Sequence, residues 1–325
     1  MTRSLQPRST RWATALAATL TIAATSPATA QDYPTGRPVS IVLGYGPGTG
    51  IDVIAREVAA RIGETMKTTI VVENKVGANG ALATDYVAQA KPDGYTILII
   101  SSSGIINEMA TQTRSKVGRD FDPVAFAGTQ PYAFAVPADF PAKSMSEFVA
   151  LARSRPGQIN WTSLPGGLPQ YMGEMFNAAT GAKLVPVPYK STTEGLTDVI
   201  SGRVPLWITT AASAINAAKG NRLRLLAVTS EKRLAAAADI PTMKEANLDA
   251  LSLDVIFVFL APRGTPAPIL ARLNREISAA VSEPKTIERL ASQGVEPKTA
   301  SQAEVARIVQ AELARWEKVV AASKK

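Results

Sequence analysis

The stretch of sequence that decides the fold is residues 46–56, Gly46-Pro47-Gly48-Thr49-Gly50-Ile51-Asp52-Val53-Ile54-Ala55-Arg56. An apolar run typical of a β-strand, residues 39–45, precedes it, and apolar residues at helical spacing follow over residues 51–66. Three glycines within five residues let the backbone of the connecting turn approach another group closely. The stretch therefore predicts a strand, a glycine-rich turn and a helix, which is the opening unit of an α/β fold.

The same alternation of strands and helices continues along the chain. In the first part it predicts a parallel sheet with right-handed crossovers. Predicted strands lie at residues 69–73, 95–100, 133–136, 159–162, 184–188, 206–208, 223–229 and 255–260. Predicted helices lie at residues 80–90, 144–155, 170–180, 192–200, 266–281, 284–293 and 301–323.

These elements fall into two α/β units of similar size. No low-complexity linker separates the units, so we expect the chain to pass between them in strand-like crossings near residues 127–131 and 252–256. The expected organisation is a discontinuous first domain, residues 31–128 plus 255–325, and a second domain, residues 129–254.

The N-terminus has the features of a secretory signal peptide. Three arginines precede an apolar run of 13 residues, 12–24, and Ala28 and Ala30 are small residues suited to cleavage. The run is shorter than the ~18 to 20 residues needed to cross a bilayer. We expect cleavage after Ala30 and an exported, soluble, periplasmic protein; an uncleaved N-terminal anchor is the alternative.

Composition narrows the possible functions. Removing 30 of the 325 residues leaves 295, and the loss of three arginines lowers the net charge from +8 to +5. Lysines and arginines alternate with acids instead of forming blocks, so nucleic acid is not an expected partner. The chain has no Cys and no His. Ser-His-Asp and Cys-His catalytic arrangements, His/Cys metal sites and disulfides are therefore impossible, and no cofactor is expected.

Three loops could hold a ligand. Residues 46–50 lead into a helix N-terminus, where backbone amides favour an anion. Residues 101–104, Ser-Ser-Ser-Gly, follow a strand, and ligands of open α/β sheets bind beyond such strand ends. Residues 162–167, Thr-Ser-Leu-Pro-Gly-Gly, repeat the strand, loop and helix pattern in the second half. Two such walls facing each other would clamp an anion, although each loop is also explained by turn geometry alone.

A nicotinamide-binding fold is the alternative reading of the first loop. Glu73 ends the next strand at about the position of a ribose-binding acid. The G-x-G-x-x-G pattern fails in every register, however, because Thr49, Ile51 and Val53 stand where the third glycine would be. An exported protein also meets little of such a cofactor. A binding cleft for an anion is the favoured interpretation.

Six ordered motifs resemble those of the tripartite tricarboxylate transporter substrate-binding proteins, the Bug family. The first, residues 46–56, resembles P-G-G-x-x-D-x-x-A-R. The others are residues 71–80 (VVENKVGANG), 91–96 (KPDGYT), 187–190 (VPYK), 226–233 (LAVTSEKR) and 260–266 (LAPRGTP). Together they span essentially the whole mature chain.

The resemblance implies a two-domain periplasmic binding protein fold of type II, a Venus flytrap, in which each domain is a mainly parallel sheet flanked by helices. It also implies a monomer that closes on a small carboxylate, carries out no chemistry on it and delivers it to a tripartite tricarboxylate permease. The resemblance implies the ligand-binding residues by motif position, with Thr209 at a family position that often carries an Asp: Tyr45, Gly46, Gly48, Thr49, Ser101, Ser102, Ser103, Gly104, Ser163, Gly166, Gly167, Gln170 and Thr209.

Three departures from the family pattern bear on the ligand. Thr49 replaces a glycine of the first loop, and the third loop is one residue shorter with Gln170 in place of a His. Thr209 stands where the family often has an Asp. An Asp there would attract a ligand ammonium and repel a second ligand carboxylate. Its absence favours a dicarboxylate or an aromatic carboxylate over an amino acid.

Two points stay open at the level of sequence. Trp161, Tyr171 and Trp207 are candidate stacking surfaces for an aromatic ligand, although core positions explain them as well. Besides transport, the sequence is compatible with a sensor that docks on a membrane receptor, and with binding of an amino acid such as aspartate or glutamate. An enzyme is disfavoured, because without His and Cys few reactive groups remain.

Overall fold

A computed structural model describes residues 1–2, 33–111, 113–189 and 194–323, so residues 3–30 of the expected signal peptide and its cleavage site lie outside the described residues. The strands are β1 (Val39–Leu43), β2 (Ile70–Asn74), β3 (Thr96–Ser101), β4 (Phe121–Gln130), β5 (Tyr132–Pro137), β6 (Asn160–Ser163), β7 (Val185–Pro188), β8 (Trp207–Thr210), β9 (Leu223–Val228) and β10 (Val255–Pro262). The helices are α1 (Gly50–Met66), α2 (Ala81–Ala88), α3 (Ser102–Ala110), α4 (Val117–Asp120), α5 (Met145–Ser154), α6 (Leu168–Thr180), α7 (Leu196–Ile200), α8 (Ala211–Ala218), α9 (Ala267–Val281), α10 (Pro284–Ser292) and α11 (Gln302–Ser323). None of these described helices is long and apolar enough to cross a membrane.

The first sheet has the strand order β2-β1-β3-β10-β4. Strand β1 pairs in parallel with β2 and with β3, as the sequence predicts. Strand β10 returns from far along the chain and pairs antiparallel with both β3 and β4. Four strands therefore run in one direction and β10 runs against them. As a result, the carboxyl ends of β1 and β3 lie side by side.

A second sheet, with shorter strands, repeats this arrangement. Strand β5 pairs antiparallel with β8 and β9, and β6 pairs in parallel with β7. A parallel bridge between Trp161 and Leu206 joins β6 to the start of β8. The strands then follow the order β7-β6-β8-β5-β9, with β5 reversed. The expected α/β fold with two mainly parallel sheets is confirmed; the reversed strand in each sheet was not predicted.

Helices cover both sheets and divide the described chain into two lobes. Helix α1 packs on α9, and α3 packs on α11, against the five-stranded sheet. We call this sheet with its helices the first lobe, and β5–β9 with the helices between them the second lobe. Helix α6 of the second lobe also contacts α11, with the rings of Tyr171 and Trp316 6.3 Å apart.

The chain passes between the lobes at two adjacent places, which we call the crossing. Strand β4 ends at Gln130, which pairs with Val255 where β10 begins. Just beyond, the Thr229 hydroxyl accepts a hydrogen bond from the Tyr132 amide (2.8 Å) and donates one to the Asp254 carboxylate (3.2 Å). The outgoing and returning segments are thus tied to each other and to the end of β9.

Three helices were not predicted: α3, the single-turn α4 and α8. The Ser-Ser-Ser-Gly sequence indicates a turn, but α3 begins at Ser102, because Ile105 and Ile106 behind the serines are fully buried in the core. Tertiary packing here outweighs the local preference of serine and glycine for turns. Helix α8 follows β8 directly, and its N-cap Thr210 accepts a hydrogen bond from the Ser213 amide.

Two glycines bring the end of β1 against a left-handed turn at residues 77–80. A Cβ atom added to Gly44 would lie 2.3 Å from the Cα of Gly80. Gly80 itself has a φ of 93°, a conformation that favours glycine. The backbones pack directly on each other, and this contact fixes where the first loop begins.

We predict that Gly44→Ala destabilises the protein by about 1 to 3 kcal/mol, because a methyl group has no space between the two backbones. Gly46→Ala is the matched control, since a Cβ there meets no atom within 4 Å. Urea unfolding of both variants measures the difference. Equal stabilities of the two variants would contradict this contact.

Candidate functional site

The predicted loops meet at the carboxyl ends of neighbouring strands in each lobe. Residues 46–49 follow β1, and α3 follows β3 beside it. In the second lobe, the third loop follows β6, and Thr209 lies near the end of β8, the strand bridged to β6. Each lobe therefore presents one wall made of two adjacent strand ends, which is where ligands of open α/β sheets bind.

A buried carboxylate holds the first loop in place. Asp52, only 2% exposed, accepts hydrogen bonds from the Gly48 amide (2.9 Å), the Asn74 Nδ2 (2.8 Å) and the Arg56 Nε (3.0 Å). The same Asn74 nitrogen donates to the Tyr45 carbonyl (2.9 Å). Burial raises the pKa of Asp52, but these hydrogen bonds outweigh it and hold the pKa below its ordinary value. Asp52 is thus ionised and joins α1, β2 and the first loop.

The prediction that Gly48 offers its amide to a ligand needs correction. That amide already donates to Asp52. Thr49 is also engaged, because its hydroxyl donates to the Gly46 carbonyl (2.9 Å) and shapes the turn. At the start of this loop, the buried Tyr45 hydroxyl has no hydrogen-bond partner among the described residues.

Tyr45 connects the first wall's two strand ends. Its ring and hydroxyl lie 3.6 to 3.7 Å from where a Cβ of Gly80 or Gly104 would be. Burial raises the pKa of the Tyr45 hydroxyl, and the neighbouring Ser101 side chain offsets part of that rise. The hydroxyl is therefore a neutral donor close to the N-terminus of α3.

In the second loop the hydroxyl of Ser102 is structural and not free for a ligand. It donates to the Glu312 carboxylate (2.5 Å) and accepts from the Ile256 amide (3.0 Å). The Trp316 indole also donates to Glu312 (2.7 Å). Ser102 thus ties α3 to α11 and to β10. The first-turn amides of α3 have no partner within the helix, as at any helix N-terminus, and Ser101 and Ser103 flank them.

Hydrogen bonds within the third loop and to the helix after it hold this loop in place. The Gly166 amide donates to the Gln170 side-chain oxygen (2.8 Å), and the Gly167 amide donates to the Leu164 carbonyl (2.8 Å). The Gln170 side-chain nitrogen donates in turn to Glu174 (2.8 Å). The Gly166 and Gly167 amides and one of the two Gln170 side-chain N–H groups are therefore engaged within the loop and its helix.

Two hydroxyl groups remain on the second wall. Ser163, buried at the end of β6, lies beside β8, because the Ile208 amide donates to the neighbouring Thr162 hydroxyl (3.3 Å). Thr209 is fully buried, and its hydroxyl has no hydrogen-bond partner among the described residues. A buried hydroxyl without a partner is costly, so it indicates a group waiting for water or a ligand.

The three candidate stacking residues are core residues. Trp161 and Trp207 are 1% exposed, and Tyr171 is 4% exposed. The Trp161 indole donates to the Pro169 carbonyl (3.2 Å) and packs so tightly on Gly173 that a Cβ there would lie 2.2 Å from the ring. No face of these rings is presented to a ligand.

The turn at residues 77–80 is a wall element that the sequence analysis missed. Asn79 has a left-handed φ of 50°, and a Cβ added to Gly166 in the opposite lobe would lie 3.2 Å from its Nδ2. The turn is held by hydrogen bonds from Asn107 Nδ2 to the Ala78 carbonyl (2.8 Å) and from the Thr84 hydroxyl to the Gly80 carbonyl (3.1 Å). Its signal in the sequence is Gly-Ala-Asn-Gly, since asparagine and glycine tolerate this backbone conformation.

A pocket of about 580 Å³ lies beside the crossing, away from the glycine-rich loops. Asp254, Glu296, Lys298 and Arg315 are among its lining residues. Lys298 pairs with Glu296 (3.1 Å), so these charges partly satisfy each other. We do not assign the carboxylate site to this pocket, because its four acids outnumber its three cationic residues and none of the glycine-rich loops lines it. Within the described residues no cluster of three His, Cys, Asp or Glu could hold a metal.

The two lobes and their facing strand ends define a two-domain periplasmic binding protein. The chain belongs to the tripartite tricarboxylate transporter receptor family, whose model matches residues 54–324. This family consists of substrate-binding receptors, so the protein is a periplasmic-type binding protein and not an enzyme. The resemblance stated from the sequence motifs is thereby confirmed.

Relatives and solved structures agree with this assignment. The chain is 30% identical to protein BugT of Bordetella pertussis, and the similarity covers 91% of each chain. It is similar to Rhodopseudomonas palustris Rpa4515 with adipate (32% identity, TM-score 0.76, covering 89% of this chain and 97% of that one). It is also similar to R. palustris MatC with bound malate (28% identity, TM-score 0.75, covering 89% and 100%).

We predict that Asp52→Asn lowers the free energy of unfolding by about 2 kcal/mol at pH 7, because a buried charge-assisted network is weakened. The lowered pKa of Asp52 stabilises the fold above the ordinary value of 3.8, and this contribution is lost as the pH falls through the lowered folded value. The difference between wild type and variant should therefore shrink in acid. Glu64→Gln, an exposed acid on the same helix, is the control for urea unfolding; an equal effect there would contradict the role of Asp52.

For Asp254 we expect the opposite pH dependence of the free energy of unfolding. Burial raises its pKa from 3.8 to about 6, although the Thr229 hydrogen bond and the charge of Lys298 lower it. The stability contributed by this group is present below pH 3.8 and is lost as the pH rises through about 6. Asp254→Asn should therefore gain up to roughly 3 kcal/mol at pH 7.5 and nothing near pH 4. Urea unfolding at both pH values tests this; Asp249→Asn is the control, and a gain independent of pH would refute the assignment.

Proposed function

We propose that the protein captures a small organic carboxylate in the periplasm, between its two lobes, and delivers it to a permease of the tripartite tricarboxylate type. The observation that carries the proposal is a set of uncharged donors on both walls. Tyr45 and Thr209 bury hydroxyl groups without partners among the described residues. The solved relatives with malate and adipate support a carboxylate ligand.

Uncharged donors are sufficient to hold a carboxylate. A hydrogen bond to a charged group contributes about 1.5 to 3 kcal/mol after the exchange with water is included, so three or four such bonds give a substantial net gain on binding. Amides at the N-terminus of α3 add a favourable dipole. The proposed contacts are Tyr45, Gly46, Thr49, Ser101, Ser103, Gly104, Ser163 and Thr209.

The second wall favours a dicarboxylate. Thr209 offers a hydroxyl where an acid would repel the ligand's second carboxylate, and an amino-acid ligand would find no acidic partner at this residue. An aromatic carboxylate is the second choice, because Trp161, Tyr171 and Trp207 are buried and present no face for stacking.

Capture by closure follows from how the lobes are joined. The first domain comprises residues 31–128 plus 255–325, and the second comprises residues 129–254. The leader is cleaved after Ala30, and the mature protein is a monomer.

Rotation about the crossing brings the two walls together, and the contacts to both walls exist only when they meet. The ligand therefore shifts the open and closed populations toward the closed form.

We predict that malate or adipate binds the mature protein more tightly than aspartate or glutamate, as measured by titration calorimetry. Thr209→Asp should weaken a dicarboxylate at least tenfold and a monocarboxylate much less, because it places like charges together. Thr209→Val keeps the shape and removes only the hydroxyl, so it should weaken both classes modestly.

The matched control is Thr210→Asp. Thr210 caps α8 through its hydroxyl, and Asp is an equally good cap, so this variant adds the same charge one residue away without disturbing the helix. Tight binding of aspartate or glutamate alone, or equal losses for both ligand classes in Thr209→Asp, would refute the proposed ligand class.

A further inference from the structure

The pocket beside the crossing, which we call the crossing pocket, is lined by both lobes and by the segment that joins them. Residues 229–232 follow β9 of the second lobe, and Lys298 and Arg315 belong to the first lobe. Residues 252–254 belong to the returning segment. The volume of about 580 Å³ is sufficient for a small organic molecule. None of the glycine-rich loops lines this pocket, so it is separate from the proposed carboxylate site.

Two ion pairs account for four of the seven charged residues that line the crossing pocket. The Lys298 ammonium lies 3.1 Å from the Glu296 carboxylate, and the Arg315 guanidinium lies 3.6 Å from the Glu312 carboxylate. The remaining three charged residues are two acids and one lysine. The lining therefore has a net charge of −1 when every group is ionised, which favours a cation over an anion.

Asp254 is a partly buried acid of this pocket without a counter-charge beside it. Its carboxylate accepts a hydrogen bond from the Thr229 hydroxyl (3.2 Å) and has no ion pair among the described residues. Burial raises the pKa of Asp254 to about 6, and the Thr229 hydrogen bond and the Lys298 charge offset part of that rise. The charges of Glu296 and Glu231 add to it. A cation placed next to this carboxylate would therefore stabilise its ionised form.

A second polar group of the crossing pocket lies two residues before Asp254. The Ser252 Oγ is buried and has no hydrogen-bond partner among the described residues. A carboxylate and a hydroxyl oxygen can both accept hydrogen bonds from one ammonium group. A divalent metal ion would need more oxygen ligands than these two, and no group of three His, Cys, Asp or Glu in the described part of the chain could hold one. The polar part of the pocket therefore suits an organic ammonium group.

Apolar side chains form another part of the lining: Leu253, Ile256, Ile308 and Ala311. These side chains gain from contact with hydrocarbon and offer nothing to a second charge. We propose that the crossing pocket is a binding site for a small organic ammonium ion with a short apolar chain. The ammonium group binds Asp254 and Ser252, and the chain packs on the apolar side chains. This ligand is opposite in charge to the carboxylate proposed for the cleft, and the two sites do not share residues.

The direct test is a titration of the mature protein with butylammonium, followed by the methyl resonance of Ile308. We expect saturable binding at pH 7.5, and about tenfold weaker binding of the neutral n-butanol, which has the same chain. Between pH 7.5 and pH 5 the dissociation constant of butylammonium should rise about tenfold, because protonation of Asp254 near pH 6 removes the charge that the ligand binds. Equal binding of the alcohol, a dissociation constant independent of pH, or no saturable binding would overturn the site.

Variants locate the bound probe. Asp254→Asn keeps the shape and removes the charge, so it should weaken butylammonium binding about tenfold at pH 7.5, and Ser252→Ala should weaken it about threefold. Asp249→Asn, at an exposed acid outside the pocket, and Thr209→Val, in the proposed cleft, should leave the dissociation constant unchanged. Wild-type binding by both Asp254→Asn and Ser252→Ala, or a loss in Thr209→Val, would refute the site. No carboxylate is present in this experiment, so its failure leaves the proposed function intact.

Discussion

In each lobe, a side chain of the helix that follows the glycine-rich loop accepts a hydrogen bond from a loop amide four residues earlier in the sequence. Asp52 does this for Gly48, and Gln170 does it for Gly166. These two hydrogen bonds fix the loops against their helices, and the positions of the walls depend on them. The loops are thus built mainly by internal bonds, and the groups left for a ligand are fewer than a glycine-rich sequence indicates.

This construction would allow an acid to be part of the proposed anion site. The ionised Asp52 would repel a bound carboxylate, but Arg56 and Asn74 neutralise and solvate it within the first lobe. The second lobe uses the uncharged Gln170 for the same task. The outcome is a pair of walls whose free groups are hydroxyls and helix amides. Binding an anion by such donors needs no buried cation, and the desolvation cost of a buried cation is avoided.

The sequence was sufficient for the fold, and it predicts a site at the strand ends, but it could not show which donors the folded chain already uses. Strand β1 and helix α1 follow from apolar periodicity, and both glycine-rich loops lie between a strand and a helix, as predicted. Periodicity could not reveal that the Ser102 hydroxyl is taken by Glu312, which is 210 residues away in sequence. Likewise, the sequence shows that the Gly166 amide can donate a hydrogen bond, but only the structure shows that the Gln170 side chain already accepts it. The turn at residues 77–80 was not predicted, because the sequence permits the left-handed conformation of Asn79 but does not require it.

The most direct measurement of the central claim is a crystal structure of the mature protein with adipate. One carboxylate should lie within hydrogen-bonding distance of the Tyr45 hydroxyl and the first amides of α3. The opposite wall, Ser163 and Thr209, should contact the same ligand directly or through water. Adipate bound in the pocket beside the crossing, with the Tyr45 and Thr209 hydroxyls left without partners, would contradict it.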